Sequence, residues 1–139
     1  MKATKILWVG VPLVFLIAVA AAQWGAGAKR RPEVWVRQIV VKADAMKPED
    51  VERARRKIDE VYTELKKGTD FKRLAAKQSE ADSSRQEGDL GWIGKGILPK
   101  RLEEVAFSLQ PKHYSAIVSE IGPEVHIYRI FYVEERRNF

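Results

Sequence analysis

No charged residue occurs from position 6 to position 28, and that run divides the chain into two parts that must meet different surroundings. A surface helix carries one polar face; residues 6–22 carry none, and Gln23 is the one clearly polar side chain after them. Lys2 and Lys5 precede the run, and Lys29, Arg30 and Arg31 follow it. Its length reaches the roughly 20 apolar residues that cross a bilayer. Trp8 and Trp24 stand near its ends, where indole rings favour the headgroup layer. The small-residue tripeptides Ala20-Ala21-Ala22 and Ala26-Gly27-Ala28 also suit removal as a signal sequence. The expected organisation is a membrane or signal helix over 1–28, a linker over 29–33 and a folded domain over 34–139. Cations on both flanks leave the membrane orientation open by charge alone.

The folded part must be held by burial, because the chain has no cysteine. That absence also excludes thiol catalysis, a zinc finger and a lipidated cysteine. Roughly 110 residues suffice for one domain around one core. The formal charge of +6 permits attraction to anionic surfaces. However, the cluster Arg53, Arg55, Arg56 and Lys57 is interleaved with Glu49, Asp50, Glu52, Asp59 and Glu60, which reads as a solvated helix face. Basic and aromatic residues do not interleave as in a nucleic-acid surface, so no nucleic-acid partner is expected.

Local patterning gives the order β-α-α-β-α-β-β. Residues 34–41 (VWVRQIVV) are rich in β-branched side chains and apolar on both faces except at Arg37 and Gln38, as in a central strand. Pro48, with Glu49 and Asp50, opens a helix. Val51, Ala54, Ile58, Val61 and Leu65 recur at helical spacing, and Lys66, Lys67 and Gly68 stop it. Asp70 is placed to cap a second helix with Phe71, Leu74 and Ala75 inward. Residues 79–87 read as a polar loop and 89–93 as a short strand. A third helix over 99–109 turns Leu102, Val105, Ala106 and Leu109 inward. Strands over 114–119 and 125–133 close the chain. The glycines at 88, 91, 94 and 96 lack the context of a phosphate loop and read as turn glycines.

Certain residues, taken in order, resemble the parvulin-type peptidyl-prolyl isomerases. They are Arg37-Gln38-Ile39-Val40-Val41, the helical segment from Gly68 to Ala75, Ser83-Ser84, Gly88-Asp89-Leu90-Gly91-Trp92, Ala106-Phe107-Ser108-Leu109 and Val125-His126-Ile127. The resemblance implies an α+β fold: a four-stranded antiparallel sheet with about three to four surrounding helices. It implies rotation about X–Pro peptide bonds, with no cofactor and no metal. By position it implies a polar cluster of His126, Asp82 and Gln38 and a prolyl pocket of Leu90, Leu98 and Leu102, with Ser119 placing the substrate backbone. Gln38 stands where the family commonly has a second histidine. Leu98 and Leu102 stand where Met and Phe are commoner, so the pocket is aliphatic.

Strand alternation puts His126, Tyr128, Ile130 and Tyr132 on one face and Gln38 with Val36 and Val40 on one face. If the two strands are neighbours, Gln38 and His126 are expected to meet. Glutamine can keep such a network's hydrogen bonds but cannot titrate. His113 reads as solvated, Trp92 as core, and Asp82 equally well as a turn cap beside Ser83 and Ser84. The implied partners are proline-containing unfolded or exported polypeptides, met outside the cytoplasm by an anchored or secreted domain. The alternatives are a catalytically weak, peptide-holding chaperone domain and a subunit of a membrane complex.

Overall fold

The computed structural model describes residues 30–138, so the expected membrane or signal segment lies outside the described residues. Among the described residues no helix is long and apolar enough to cross a membrane. The β-branched run forms the central strand β1 (Glu33–Asp44), hydrogen-bonded on both edges. β2 (Asp89–Gly94) lies antiparallel on one side and β5 (Val125–Arg137) on the other. A strand flanked on both edges and covered on both faces needs apolar side chains in both directions. Val34, Val36, Ile39, Val40 and Val41 are accordingly buried.

Helix α1 (Pro48–Lys66) begins with the expected proline and has Glu49 and Asp50 in its first turn and Lys66 in its last. Those charges complement the helix dipole. Helix α2 (Phe71–Gln78) is capped by Asp70, whose carboxylate accepts the Arg73 N–H at 3.0 Å. The apolar stripes of both helices pack with Ile39, Val41, Ala43, Tyr128 and Ile130 on one face of the sheet. There Phe71 stacks on Tyr132 with centroids 5.0 Å apart. Helix α3 (Lys100–Ser108) packs Leu102 and Ala106 with Val34, Val36, Ile93, Val118, Phe131 and Val133 on the opposite face. Two separate cores thus flank one sheet.

The sheet has five strands rather than the expected four. The segment expected as one strand over 114–119 is split into β3 (His113–Tyr114) and β4 (Val118–Ile121), both paired with β5. Ser115 explains the break. Its N–H donates to the Phe131 carbonyl at 2.8 Å, while its hydroxyl accepts the Phe131 N–H at 3.0 Å. The side chain thereby takes the place of a backbone carbonyl, and the ladder resumes at Val118.

One ionic cluster is built into the α1–α2 face. Glu134 is buried and meets Arg37 at 2.8 Å, Lys112 at 2.7 Å and Lys72 at 3.1 Å. Burial alone would raise its carboxyl, but hydrogen bonds from Lys112, Arg37 and Lys72 outweigh that and hold it at about 2 instead of 4.5. A depressed carboxylate stabilises the fold fully above its unfolded pKa and ceases to do so as pH falls through its folded one. Urea unfolding should therefore lose about 3 kcal/mol from this group between pH 4.5 and pH 2. Glu134→Gln should be less stable at pH 7 and show a flatter acid profile. An unchanged acid profile in that variant would assign the acid loss to other carboxylates.

Candidate functional site

The face that carries α3 changes character along its length. Near α3 it is apolar; beyond Phe131 it becomes polar. Register fixes what meets there. Gln38 on β1 lies opposite Phe131 on β5, and Val40 lies opposite Arg129. Val118 on β4 pairs with Arg129, and Glu120 pairs with Ile127. Alternation then places Gln38, Val40, Glu120 and Arg129 on the same side as Phe131.

The hydrogen bonds run through this group. The Gln38 side-chain amide donates to the Ser83 hydroxyl at 3.3 Å, and the Arg129 guanidinium donates to the Gln38 side-chain oxygen. Arg129 also holds Glu120, through Nε at 3.1 Å and through its second terminal nitrogen at 3.0 Å. The guanidinium lies over the Phe131 ring, 5.7 Å from its centroid. Gln38 is buried, while Arg129 and Glu120 are partly exposed. Ser83 comes from a 3₁₀ turn, Asp82–Gln86, that follows the free edge of β1 beyond the end of β2. Asp82 is exposed at the start of that turn.

The turn is fastened at both ends. Before it, the Ser79 hydroxyl accepts the Val40 N–H at 3.0 Å, and the Glu80 N–H donates to the Val40 carbonyl at 2.7 Å. Burial would raise the Glu80 carboxyl, but Lys57, the Lys42 N–H and Arg53 together lower it. After it, the Gln38 N–H donates to the Gly88 carbonyl at 2.9 Å, and Arg37 donates to the carbonyls of Gln86 and Glu87.

The leucines stand on the same face. Leu102 is buried in the α3 core, with Leu90 and Leu98 half-buried against it. A register shift in β2 between the partners of Val36 and Arg37 sets Leu90 apart as the unpaired residue. Leu98 is carried by a loop fastened to α3: the Gly96 N–H donates to Glu103, and Lys95 sits over the Phe107 ring at 4.2 Å.

The expected set is therefore assembled only in part. Gln38, Leu90, Leu98 and Leu102 share a face, with Asp82 one residue from the Ser83 hydroxyl that meets Gln38. His126 does not join them. It lies opposite Ala43 on β1 and Ile121 on β4, on the face of Tyr128 and Ile130, and its Nδ1 is buried without a partner. Between the rungs of His126 and Phe131 the strand rises about 17 Å. Both the distance and the alternation keep it from Gln38. Ser119, opposite Tyr128, falls on that other face as well. Arg129 and Glu120 went unread; the available signal was a single cation within the otherwise apolar strand 125–133.

Comparison with known proteins adds the following. The family model described as the PPIC-type PPIASE domain matches residues 39–135. The chain is 31% identical over 111 residues to Chaperone SurA of Burkholderia orbicola, covering 79% of this chain and 25% of that protein. It is 39% identical over 77 residues to Periplasmic chaperone PpiD of Haemophilus influenzae, covering 55% of this chain and 12% of that one. A crystal structure of a PpiC-type peptidyl-prolyl cis-trans isomerase domain superposes with a TM-score of 0.61 at 30% identity, covering 77% of this chain and 93% of that one. PrsA from Bacillus subtilis superposes at 0.58 with 28% identity, covering 77% and 36%. The chain thus spans about a quarter of the length of the SurA proteins it matches.

Gly88 is the joint between turn and strand. Its φ is +77°, and a Cβ there would collide with the Gln38 carbonyl oxygen. Gly88→Ala should cost about 3 kcal/mol or more, from backbone strain plus the displaced Gln38. Gly68→Ala, with a φ of +94° and open space around it, should cost only about 1–2 kcal/mol of strain. Urea unfolding of the two variants checks the difference; equal losses would mean that the collision is relieved without cost.

Proposed function

This chain belongs to the PpiC-type peptidyl-prolyl isomerase family, and on that premise we propose that it isomerises X–Pro bonds in unfolded polypeptides outside the cytoplasm. The barrier to that rotation is roughly 20 kcal/mol and arises from amide resonance. Uncatalysed relaxation takes tens of seconds. No bond to the enzyme need form. The site must hold the twisted peptide more tightly than the planar one.

One observation carries the reading: three leucines packed together and a hydrogen-bonding network centred on the buried Gln38 lie on one sheet face. In this reading Leu90, Leu98 and Leu102 hold the prolyl ring. Gln38, Ser83 and the exposed Asp82 border the peptide bond. His126 and Ser119, on the other face, take no part. Residues 6–28 serve as anchor or signal, the domain begins near residue 34, and proline-containing unfolded or exported polypeptides are the clients. The relatives' names, a chaperone and a periplasmic chaperone, support that placement.

A second reading has its own support. The network contains no imidazole, and Leu102 lies almost wholly within the core, which leaves a shallow cup. A domain of this kind could hold proline-containing chains without turning them over.

Exchange NMR on an X–Pro peptide with the full chain in mild detergent separates the two. Isomerisation should exceed the uncatalysed rate, and Leu98→Ala should lower kcat/KM about tenfold, equivalent to about 1.4 kcal/mol of lost apolar contact. Peptide binding without acceleration, in a chain with dispersed amide signals, would reject the enzyme and leave the holding domain.

A further inference from the structure

Resting on the isomerase reading, we propose that Arg129 is the catalytic group of this site, donating a hydrogen bond to the prolyl nitrogen as the peptide bond twists. In the planar imide, resonance draws the nitrogen lone pair into the carbonyl. Twisting returns that pair to nitrogen, which becomes an acceptor only near the transition state. A donor aimed at nitrogen therefore favours the twisted form over both planar isomers, which is the differential binding that accelerates rotation.

Arg129 meets the requirements. A guanidinium has five N–H donors and keeps its charge throughout the neutral range. Glu120 takes one hydrogen from Nε and one from a terminal nitrogen, and Gln38 takes one from the other terminal nitrogen. Two donors remain. The side chain is 16% exposed, so it reaches solvent from a fixed position. Its two partners, Glu120 on β4 and Gln38 on β1, hold the fork by three contacts from strands on either side of β5. Leu90 lies two strands away across the same face and stands level with Val36 and Arg37, whereas Arg129 stands level with Val40, so about 15 Å separates the two backbones and the long Arg129 side chain spans part of it toward Gln38. A prolyl ring resting on the leucines would fill part of that interval and turn its nitrogen toward Gln38 and Arg129. In this arrangement Gln38 and Glu120 are positioning residues.

The experiment measures kcat and KM separately by exchange NMR on one X–Pro peptide, with amide spectra confirming the fold of each variant. Arg129→Gln should lower kcat about tenfold or more with little change in KM. Arg129→Lys, which keeps the charge but not the fork, should recover part of the loss. His126→Ala should stay within about twofold of the wild-type chain. An active wild-type chain whose Arg129→Gln variant keeps its kcat, or whose His126→Ala variant loses as much, overturns the assignment alone. A wild-type chain that binds the peptide and leaves exchange at its uncatalysed rate overturns it together with the isomerase reading.

Discussion

Successive side chains of a strand point to opposite faces, and at Arg37 and Gln38 that rule separates what holds this domain together from what gives it a site. Arg37 turns toward α1 and α2 and meets Glu134, the turn carbonyls and, at 3.5 Å, Asp89. Gln38 turns the other way and joins Ser83 to Arg129. The two polar networks share a peptide bond but not a face. A one-residue slip of β1 would exchange them, placing an amide beside Glu134 in place of the Arg37 guanidinium and a guanidinium against the α3 core. The long antiparallel pairing from Glu33 to Asp44 with β5 resists such a slip.

The same pairing shows which parts of the domain were legible in sequence. Local signals carried the helices: Pro48 and the acidic pair at one start, the Asp70 cap at the other, and stripes at three- and four-residue spacing. The glycine-bearing block at 88–92 fixed the turn and β2, because a positive φ and a close approach to Gln38 leave glycine as the fitting residue. Ser115 was opaque, since a hydroxyl standing in for a backbone carbonyl looks like any other serine in an alternating run. Arg37 and Glu134, 97 residues apart in sequence, meet only through the register of β1 with β5.

His126 stands apart from Gln38 for a related reason. Family motifs assign residues by type and order, whereas a site is assembled by register. The hairpin joining β4 and β5 runs on past the network to a turn at Gly122, whose N–H meets the Val125 carbonyl. His126 rides on that extension, paired with Ile121 at its far end. Counting from Gln38 would have reached Phe131 and then Arg129, but the count needs the bulges near Glu134 and Leu90, and no sequence pattern announces them.

Glu120 determines what the resulting cluster presents to a ligand. A guanidinium held against the Phe131 ring with no counter-ion would incur the cost of partial desolvation without compensation. Two contacts from Glu120 cancel its formal charge while leaving N–H donors in place. The network therefore offers directed hydrogen bonds without net charge, beside leucines that offer none. The +6 of the chain resides elsewhere, on helix faces, on the flanks of the apolar run and in the Glu134 cluster. A neutral imide can approach such a surface without displacing an ion. What distinguishes one peptide geometry from another there is the direction of the donors relative to the cup, and that direction is set by three strands whose order the central strand imposes.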